Sequence, residues 1–368
     1  MAARLRVVGM MSGTSMDGIE TALIETDGES LFAFGPHESF AFDPQSRERL
    51  MQAKTSARSV KSSSERTGIM AEAETLVGTL HVRALEAFFA RHGMTADDID
   101  LIGFHGQTVF HAPQRGITVQ LGDAAVLASA FLCETAYDFR SADVAAGGEG
   151  APLAPAYHRA LVAMSDLPRP VIVLNLGGVA NFTAIDADGD MIACDTGPAN
   201  ALLDDFMAAR TGRPYDDQGR LAASGVADET ALAMLMDDPY FAAPYPKSLD
   251  RDAFDPAPAY ALSEADGAAT LTAFSARAVA AGLRLLPFRP ELIIATGGGA
   301  KNPHLLRTIG LETGVQTIPA EKAGWKSQAI EAQCFAYLAA RVKRGLPITF
   351  PTTTGVPAPL VGGRLISR

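Results

Sequence analysis

The feature that most constrains this chain is a repeat of pattern. Residues 5 to 34 run as a buried strand (LRVVGM), a glycine-containing turn (SGTSMDG), a strand (IETALIE), an Asp-Gly turn and a third strand (SLFAFG). From residue 171 the same order returns as VIVLNL, GGVA, NFTAI, DADGD and MIACD. An Asp-Gly pair between apolar strands signals a hairpin. Two copies of one supersecondary unit signal a duplicated architecture. Each copy is continued by helical segments and further strands. The pattern therefore predicts an α/β protein of two lobes facing each other across a central cleft, a common place for a ligand.

Helical spacing fills in the rest. Leu76, Leu80, Leu85, Phe88 and Phe89 recur on one face of a helix over 65–91, and Gly93 stops it. In SQAIEAQCFAYLAARVKRG, one helical face carries Ile330, Cys334, Tyr337, Leu338 and Val342. Glycine, alanine and proline cluster in DFRSADVAAGGEGAPLAP, which sets the expected boundary. The expected lobes are residues 1–138 and 139–344. A tail over 345–368, rich in Thr, Pro and Gly, is expected to lie over the surface and to pack back on the first lobe.

Composition narrows the class. The 368 residues suffice for two domains, and 31 basic against 42 acidic residues leave a net charge of −11. With no basic tract, nucleic acid and anionic membranes are not expected as partners. No apolar run reaches the ~18 residues of a membrane span, and MAARLRVVGMMSG lacks a signal-length apolar region. Cys133, Cys194 and Cys334 form no CxxC pair, so a reducing cytoplasm is the simple expectation.

Several turns carry chemistry. MMSGTSMDGIE is rich in glycine and hydroxyls but lacks the lysine of a Walker loop. A phosphate there would meet backbone N–H groups and the Thr14 and Ser15 hydroxyls, while Asp17 could hold a hydrated Mg²⁺. The plain alternative is a hairpin with a polar turn. In NLGGVAN, Gly177 and Gly178 let backbone approach a phosphate, with Asn175 or Asn181 in support. ATGGGAKNPHLL reads as strand, glycine turn and helix, capped by Asn302 with Pro303 at its first position. It serves either a ligand or a tight turn. CDTGPANALLDDF sets Asp195 at a strand end beside a helix N-terminus, where the dipole favours an ionised carboxylate. That group is a candidate general base or a helix cap. His105 and His111 in FHGQTVFH lack a third metal ligand at suitable spacing, so substrate contacts or structural bonds are expected. Asp138, Arg140 and Asp143 form either an interlobe ion cluster or a sugar-hydroxyl site. Glu331, in an otherwise apolar helical stretch, is either a cleft residue or a solvated one.

In this order MSGTSMDGIE, FHGQTVFHAP, DFRSADVAAGGEGAPLAPAYH, NLGGVANFT, CDTGPANALLD and TGGGAKNPHLL resemble the anhydro-N-acetylmuramic acid kinase family over essentially the whole chain. The resemblance implies two ribonuclease H-like lobes of the sugar kinase, heat-shock ATPase and actin superfold. It also implies an ATP- and Mg²⁺-dependent kinase of peptidoglycan recycling. Such an enzyme opens the 1,6-anhydro bridge of its sugar and phosphorylates O6. By motif, Asp195 becomes the base that activates water. Gly13, Thr14, Ser15, Met16, Asp17, Gly18, Ile19 and Glu20 become the ATP phosphate loop, with Asp17 near Mg²⁺. Gly177 and Gly178 become the facing phosphate turn, and Gly297, Gly298, Gly299 and Asn302 the adenosine side. His105, Asp143, Glu331 and Asn181 are carried toward the sugar. A small-molecule sugar is the expected partner, with a homodimer as a further expectation. Two other readings share the fold: a kinase of levoglucosan or another anhydrosugar, and a non-catalytic sugar- or nucleotide-binding protein.

Overall fold

The computed structural model describes residues 3–251 and 253–367. Its strands, in chain order, are β1 Leu5–Ser12, β2 Gly18–Thr26, β3 Leu31–Ala41, β4 Leu101–Ala112, β5 Ile117–Leu121, β6 Thr135–Tyr137, β7 Val171–Leu176, β8 Val179–Ile185, β9 Met191–Pro198, β10 Leu292–Thr296, β11 Gln316–Pro319 and β12 Arg364–Ile366. Two compact units hold them. One comprises Met1–Met164 with Gln328–Arg368, the other Ser165–Ser327. The division differs from the 138/139 and 344/345 boundaries drawn from composition. The Gly/Ala/Pro-rich stretch lies inside the first unit, where Asp143 accepts from Gly150 N and Thr354 Oγ1. Helix Ile330–Lys343 belongs to the first unit as well.

The first sheet runs β12-β6-β4-β1-β2-β3, with β5 hairpinned onto β4. The second runs β11-β10-β7-β8-β9. In both, the first three strands form an antiparallel meander, and the next two join parallel to the first. Numbered within each repeat, each sheet reads 3-2-1-4-5 with only strand 2 reversed. That is the ribonuclease H-like order the resemblance implied, built on the repeat of meanders read from the sequence.

Packing explains the order. Helix Ile69–His92 buries Met70, Val77, Leu85, Phe88 and Phe89 in one cluster with Val8, Met10, Ile102 and Phe104 of the first sheet. Helix Ile330–Lys343 lies closely against β1 and β4. Gly9 and Gly103 are partners in the parallel β1–β4 ladder. A Cβ on Gly9 would stand 1.9 Å from Ala332 O, and one on Gly103 2.2 Å from Phe335 O. Helix and sheet therefore touch backbone to backbone. In the second unit, Ile172, Leu174, Phe182, Val279, Ile293 and Leu305 share one cluster. Helix Glu264–Arg284, capped by Ser263, presents Ala278 and Gly282 to Gly197 and Thr196 of β9.

Some local expectations shift. FHGQTVFH falls within strand β4, which passes Gly106 at φ +72° and a bulge between Thr108 and Phe110 before it ends at Ala112. The tail does more than lie over the surface. Thr349, Thr353, Thr354 and Val356 are buried, and β12 pairs antiparallel with β6.

The close helix contact yields a test. Gly9→Ala forces backbone apart and should cost on the order of 3 kcal/mol, lowering the melting midpoint by several degrees. Gly78→Ala, with only Val126 atoms at 3.8–3.9 Å around its new Cβ, should leave the midpoint unchanged or raise it. Thermal melts of both variants check this.

Candidate active site

The first unit places the hydroxyl-rich turn between β1 and β2. Met16 adopts φ 56° and is fully buried, which anchors the turn from below. Met16 N donates to Gly13 O, Gln107 Nε2 donates to Gly13 O, and Phe42 N donates to Asp17 O. Thr14, Ser15 and Asp17 are left exposed. Gly18 is required by the close approach of β3, since a Cβ would stand 2.4 Å from Phe40 O. The loop also has a cation that its own sequence lacks. Lys54, from helix Pro44–Ser56, reaches Thr14 O at 3.4 Å.

Beside this loop stand carboxylates that burial disfavours. Glu20 is pushed above its ordinary range by desolvation and by Asp17, against Ser39 and His37. Glu331, in the first turn of helix Ile330–Lys343, is exposed by area yet set deep among protein atoms, as in a recess. Desolvation and Glu20 raise its pKa, while Arg140 opposes them. Oxygen donors of this kind suit a hydrated divalent cation that keeps its own waters. Among the described residues no group of three His, Cys, Asp or Glu could cage a metal.

His105 and Asp143 are engaged by the protein itself. His105 Nδ1 lies 2.9 Å from Gly106 O, and Nε2 accepts from Arg140 Nε at 3.1 Å. Burial and the Arg140 charge hold the ring well below its ordinary pKa, so it is neutral. Asp143 is 1% exposed, with Oδ1 taken by Gly150 N and Oδ2 by Thr354 Oγ1. Arg140 also donates to Gly150 O at 2.7 Å. His105 thus fixes the Arg140 guanidinium directly, and Asp143 fixes Gly150, whose carbonyl is the other acceptor of Arg140. His105 does help line a polar cavity of ≈ 400 Å³ with Gln120, Asp123, Tyr137 and Ser141.

The second unit gathers its glycine turns around Asn200. Asn200 Nδ2 donates to Leu176 O and Gly177 O, and Ala199 N to Gly178 O. The carbonyls of the Gly177-Gly178 turn are thereby occupied, and what the turn retains is N–H. Gly297, at φ +78°, packs on β7, where a Cβ would meet Asn175 Oδ1 at 2.6 Å. At Gly299 it would meet Leu176 Cβ at 2.7 Å. Only Gly298 is open. Asn302 caps helix Pro303–Thr313 by accepting from Leu305 N, as its motif predicted. Gly298, Gly299 and Asn302 line a cavity of ≈ 380 Å³ with Asp204, Tyr215, Asp216 and Gln218. Asp204 lies at the end of CDTGPANALLDDF, while Tyr215, Asp216 and Gln218 sit outside every quoted motif. The one sequence signal for them is Tyr215, a large aromatic exposed in a polar stretch.

Asp195 differs most from expectation. It lies within β9, and helix Ala201–Thr211 begins six residues later with no side-chain cap. Neither the cap role nor the dipole applies, and Thr196 Oγ1 donates instead to Ala180 O. Asn181 faces Asp195 across the β8–β9 ladder. Burial pushes the Asp195 carboxyl up to about 7, and the Leu249 N–H bond to Oδ2 at 2.8 Å pulls the other way. Oδ1 has no protein partner among the described residues. A carboxylate poised near neutrality with one open oxygen can accept a proton.

The whole chain has relatives. Residues 5–367 match the family model described as anhydro-N-acetylmuramic acid kinase. The anhydro-N-acetylmuramic acid kinase of Azorhizobium caulinodans is 51% identical over 366 residues, 98% of this chain and 99% of that one. The kinase of the same name from Bradyrhizobium diazoefficiens is 49% identical over 360 residues, 98% of both chains. The one from Rhodopseudomonas palustris (strain BisB18) is 49% identical over 362 residues, 98% and 99% respectively.

The raised carboxyl makes a stability prediction with a definite sign. Its folded pKa, about 7, lies well above the ordinary aspartate value of about 3.9. The fold therefore binds this proton more tightly than the unfolded chain, so stability falls as pH rises from about 4 to about 7 and the full cost is present above 7. Asp195→Asn should melt at higher temperature than the parent at pH 8, with the difference shrinking toward pH 4. Melts at both pH values decide it; an advantage for the variant that is no larger at pH 8 contradicts the burial account.

Proposed function

The chain belongs to the anhydro-N-acetylmuramic acid kinase family, and from that premise we propose how its residues divide one reaction. The enzyme is a phosphotransferase of peptidoglycan recycling. Its substrate is 1,6-anhydro-N-acetylmuramic acid, its phosphoryl donor ATP and its product N-acetylmuramic acid 6-phosphate. The observation that carries the mechanism is Asp195, a largely buried carboxyl near pKa 7 with Oδ1 free of protein partners.

Asp195 removes a proton from water as its oxygen attacks the anomeric carbon. The C1–O6 bond breaks, and O6 takes the electron pair. O6 then attacks the γ-phosphorus, the bond to the β-phosphate oxygen breaks, and ADP leaves. Asp195 returns its proton to solvent. Water, sugar and ATP thus give sugar 6-phosphate, ADP and one proton. Coupling makes chemical sense, because bridge opening creates the very nucleophile that the second step needs.

Backbone N–H groups and hydroxyls of Gly13–Gly18 bind phosphate oxygens, and the N–H groups of Gly177 and Gly178 do the same. The cavity beside Gly298 and Gly299 takes the nucleoside. Exposed Asp17 and the neighbouring Glu20 suit a hydrated Mg²⁺, which Asp17 would hold through water. Such an ion would neutralise phosphate charge when bound. Glu331 and Asn181 contribute polar contacts near the sugar. His105 acts there by holding Arg140, and Asp143 by fixing Gly150, the other acceptor of Arg140.

An ADP-release assay comparing anhydro-N-acetylmuramic acid, N-acetylmuramic acid and levoglucosan tests the reading. Turnover is expected with the first sugar. Activity confined to levoglucosan would overturn the substrate assignment, and silence on all three would favour a binding protein. The pH profile tests the base separately. Because Asp195 works ionised, kcat/KM should climb with pH through an acid limb near 7, and Asp195→Asn should lose at least about 10³-fold in kcat while still binding ATP.

A further inference from the structure

Asp195 is gripped by a segment that no glycine motif announces. Asp195 N donates to Lys247 O at 3.0 Å, and Tyr240 Oη donates to Asp195 O at 2.9 Å. Leu249 N holds Oδ2 at 2.8 Å. Lys247 closes the circuit: its Nζ donates to Tyr240 O at 2.7 Å and stands 4.4 Å from the Tyr240 ring centroid. The segment is anchored in turn by aromatic packing. Phe241 stacks on Phe254 at 5.2 Å, and both meet Phe274 of helix Glu264–Arg284 edge-on.

We propose that residues 240–249 form a positioning clamp for Asp195, in which Tyr240 and Lys247 are the positioning side chains. The inference rests on the reading of Asp195 as the base. Two consequences follow from the bonding. Asp195 is fixed on both backbone sides and through one carboxylate oxygen, so Oδ1 is aimed without being spent. The Lys247 ammonium, meanwhile, is committed to the Tyr240 carbonyl and ring. An ammonium paired with Asp195 would favour the ionised form and weaken it as a base. The titratable groups around Asp195 are Cys194 on β9 and Tyr240 on the clamp, both of which feel its charge, and Lys247, whose carbonyl holds Asp195 N and whose ammonium lies on Tyr240. Burial keeps the Cys194 thiol and the Tyr240 phenol protonated near neutral pH, so Lys247 is the one charge among them.

The test uses Tyr240→Phe and Lys247→Met, both close in volume to the parent residue, with Lys247→Arg as the rescue. Each is assayed for ADP release across pH and titrated with ADP for binding. Losing one oriented hydrogen bond should lower kcat about tenfold, with KM for both substrates within about twofold. In Tyr240→Phe, slackening of the Leu249 bond to Oδ2 should also move the acid limb of kcat/KM to higher pH. A general loss of packing would not move that limb. Lys247→Arg should recover most of kcat. Should Tyr240→Phe fail to fold, Lys247→Met and Lys247→Arg carry the test. A kcat within twofold of the parent with an unmoved acid limb overturns the clamp. So does a more than tenfold weaker ADP affinity in Lys247→Met, which would make Lys247 a phosphate ligand. Asp195→Asn separates the two readings. If it still turns over, the base assignment itself fails; if it is dead while the clamp variants match the parent, the clamp alone fails.

Discussion

The contact on which the first unit depends is the bare meeting of helix Ile330–Lys343 with Gly9 and Gly103. A Cβ at either glycine would overlap helix backbone, so no side chain separates the helix from the middle of the sheet. That approach carries three consequences. It ties a segment near residue 335 to strands near residues 9 and 103, which makes the unit discontinuous in sequence. It lets Arg341 Nη1 reach Gly28 O and Tyr337 Oη reach Glu29 O, fastening the β2–β3 turn. It also fixes the first turn of the helix, and hence Glu331, near Glu20 and Arg140.

The second unit solves the same problem with different residues. Helix Glu264–Arg284 reaches β9 through Ala278 and Gly282, against Gly197 and Thr196. The close fit falls next to Asp195, so the backbone that carries the proposed base is packed tightly against this helix. Small residues at these contacts offer little apolar area of their own. They serve instead to bring rigid elements near enough that bulkier neighbours such as Phe182 and Phe274 fill the space around them.

How much of this was legible depends on whether the signal was local. The duplicated meander could be read because strand, turn and strand are contiguous, and turn chemistry is written in Gly, Asn and Asp. The cap at Asn302 was legible for the same reason. The domain boundary was not, because composition cannot show that residue 354 returns to bond Asp143. The local surroundings of Asp195 were misread too. The nearest helix in sequence suggested a stabilised carboxylate, whereas the groups that enclose it come from 240–249, about fifty residues on. Lys54 beside Thr14 is a similar case: a loop without its own cation borrows one from a helix forty residues later.

One pattern connects these sites without any motif. Among the described residues, the carboxyls that burial raises above their ordinary range are Glu20, Asp195, Asp204 and Glu331. Asp27, Asp43, Asp98, Asp266, Glu229 and Glu321 shift the other way, each held by hydrogen bonds at turns, caps or surface pairs. A fold under selection for stability alone has no reason to desolvate four carboxyls without full compensation. Each of the four stands at a feature to which the proposed mechanism gives a part: the proposed phosphate loop, the proposed base, the proposed nucleoside cavity and the helix start beside Arg140. The unfavourable burial is concentrated where negative charge must change or be met by a cation.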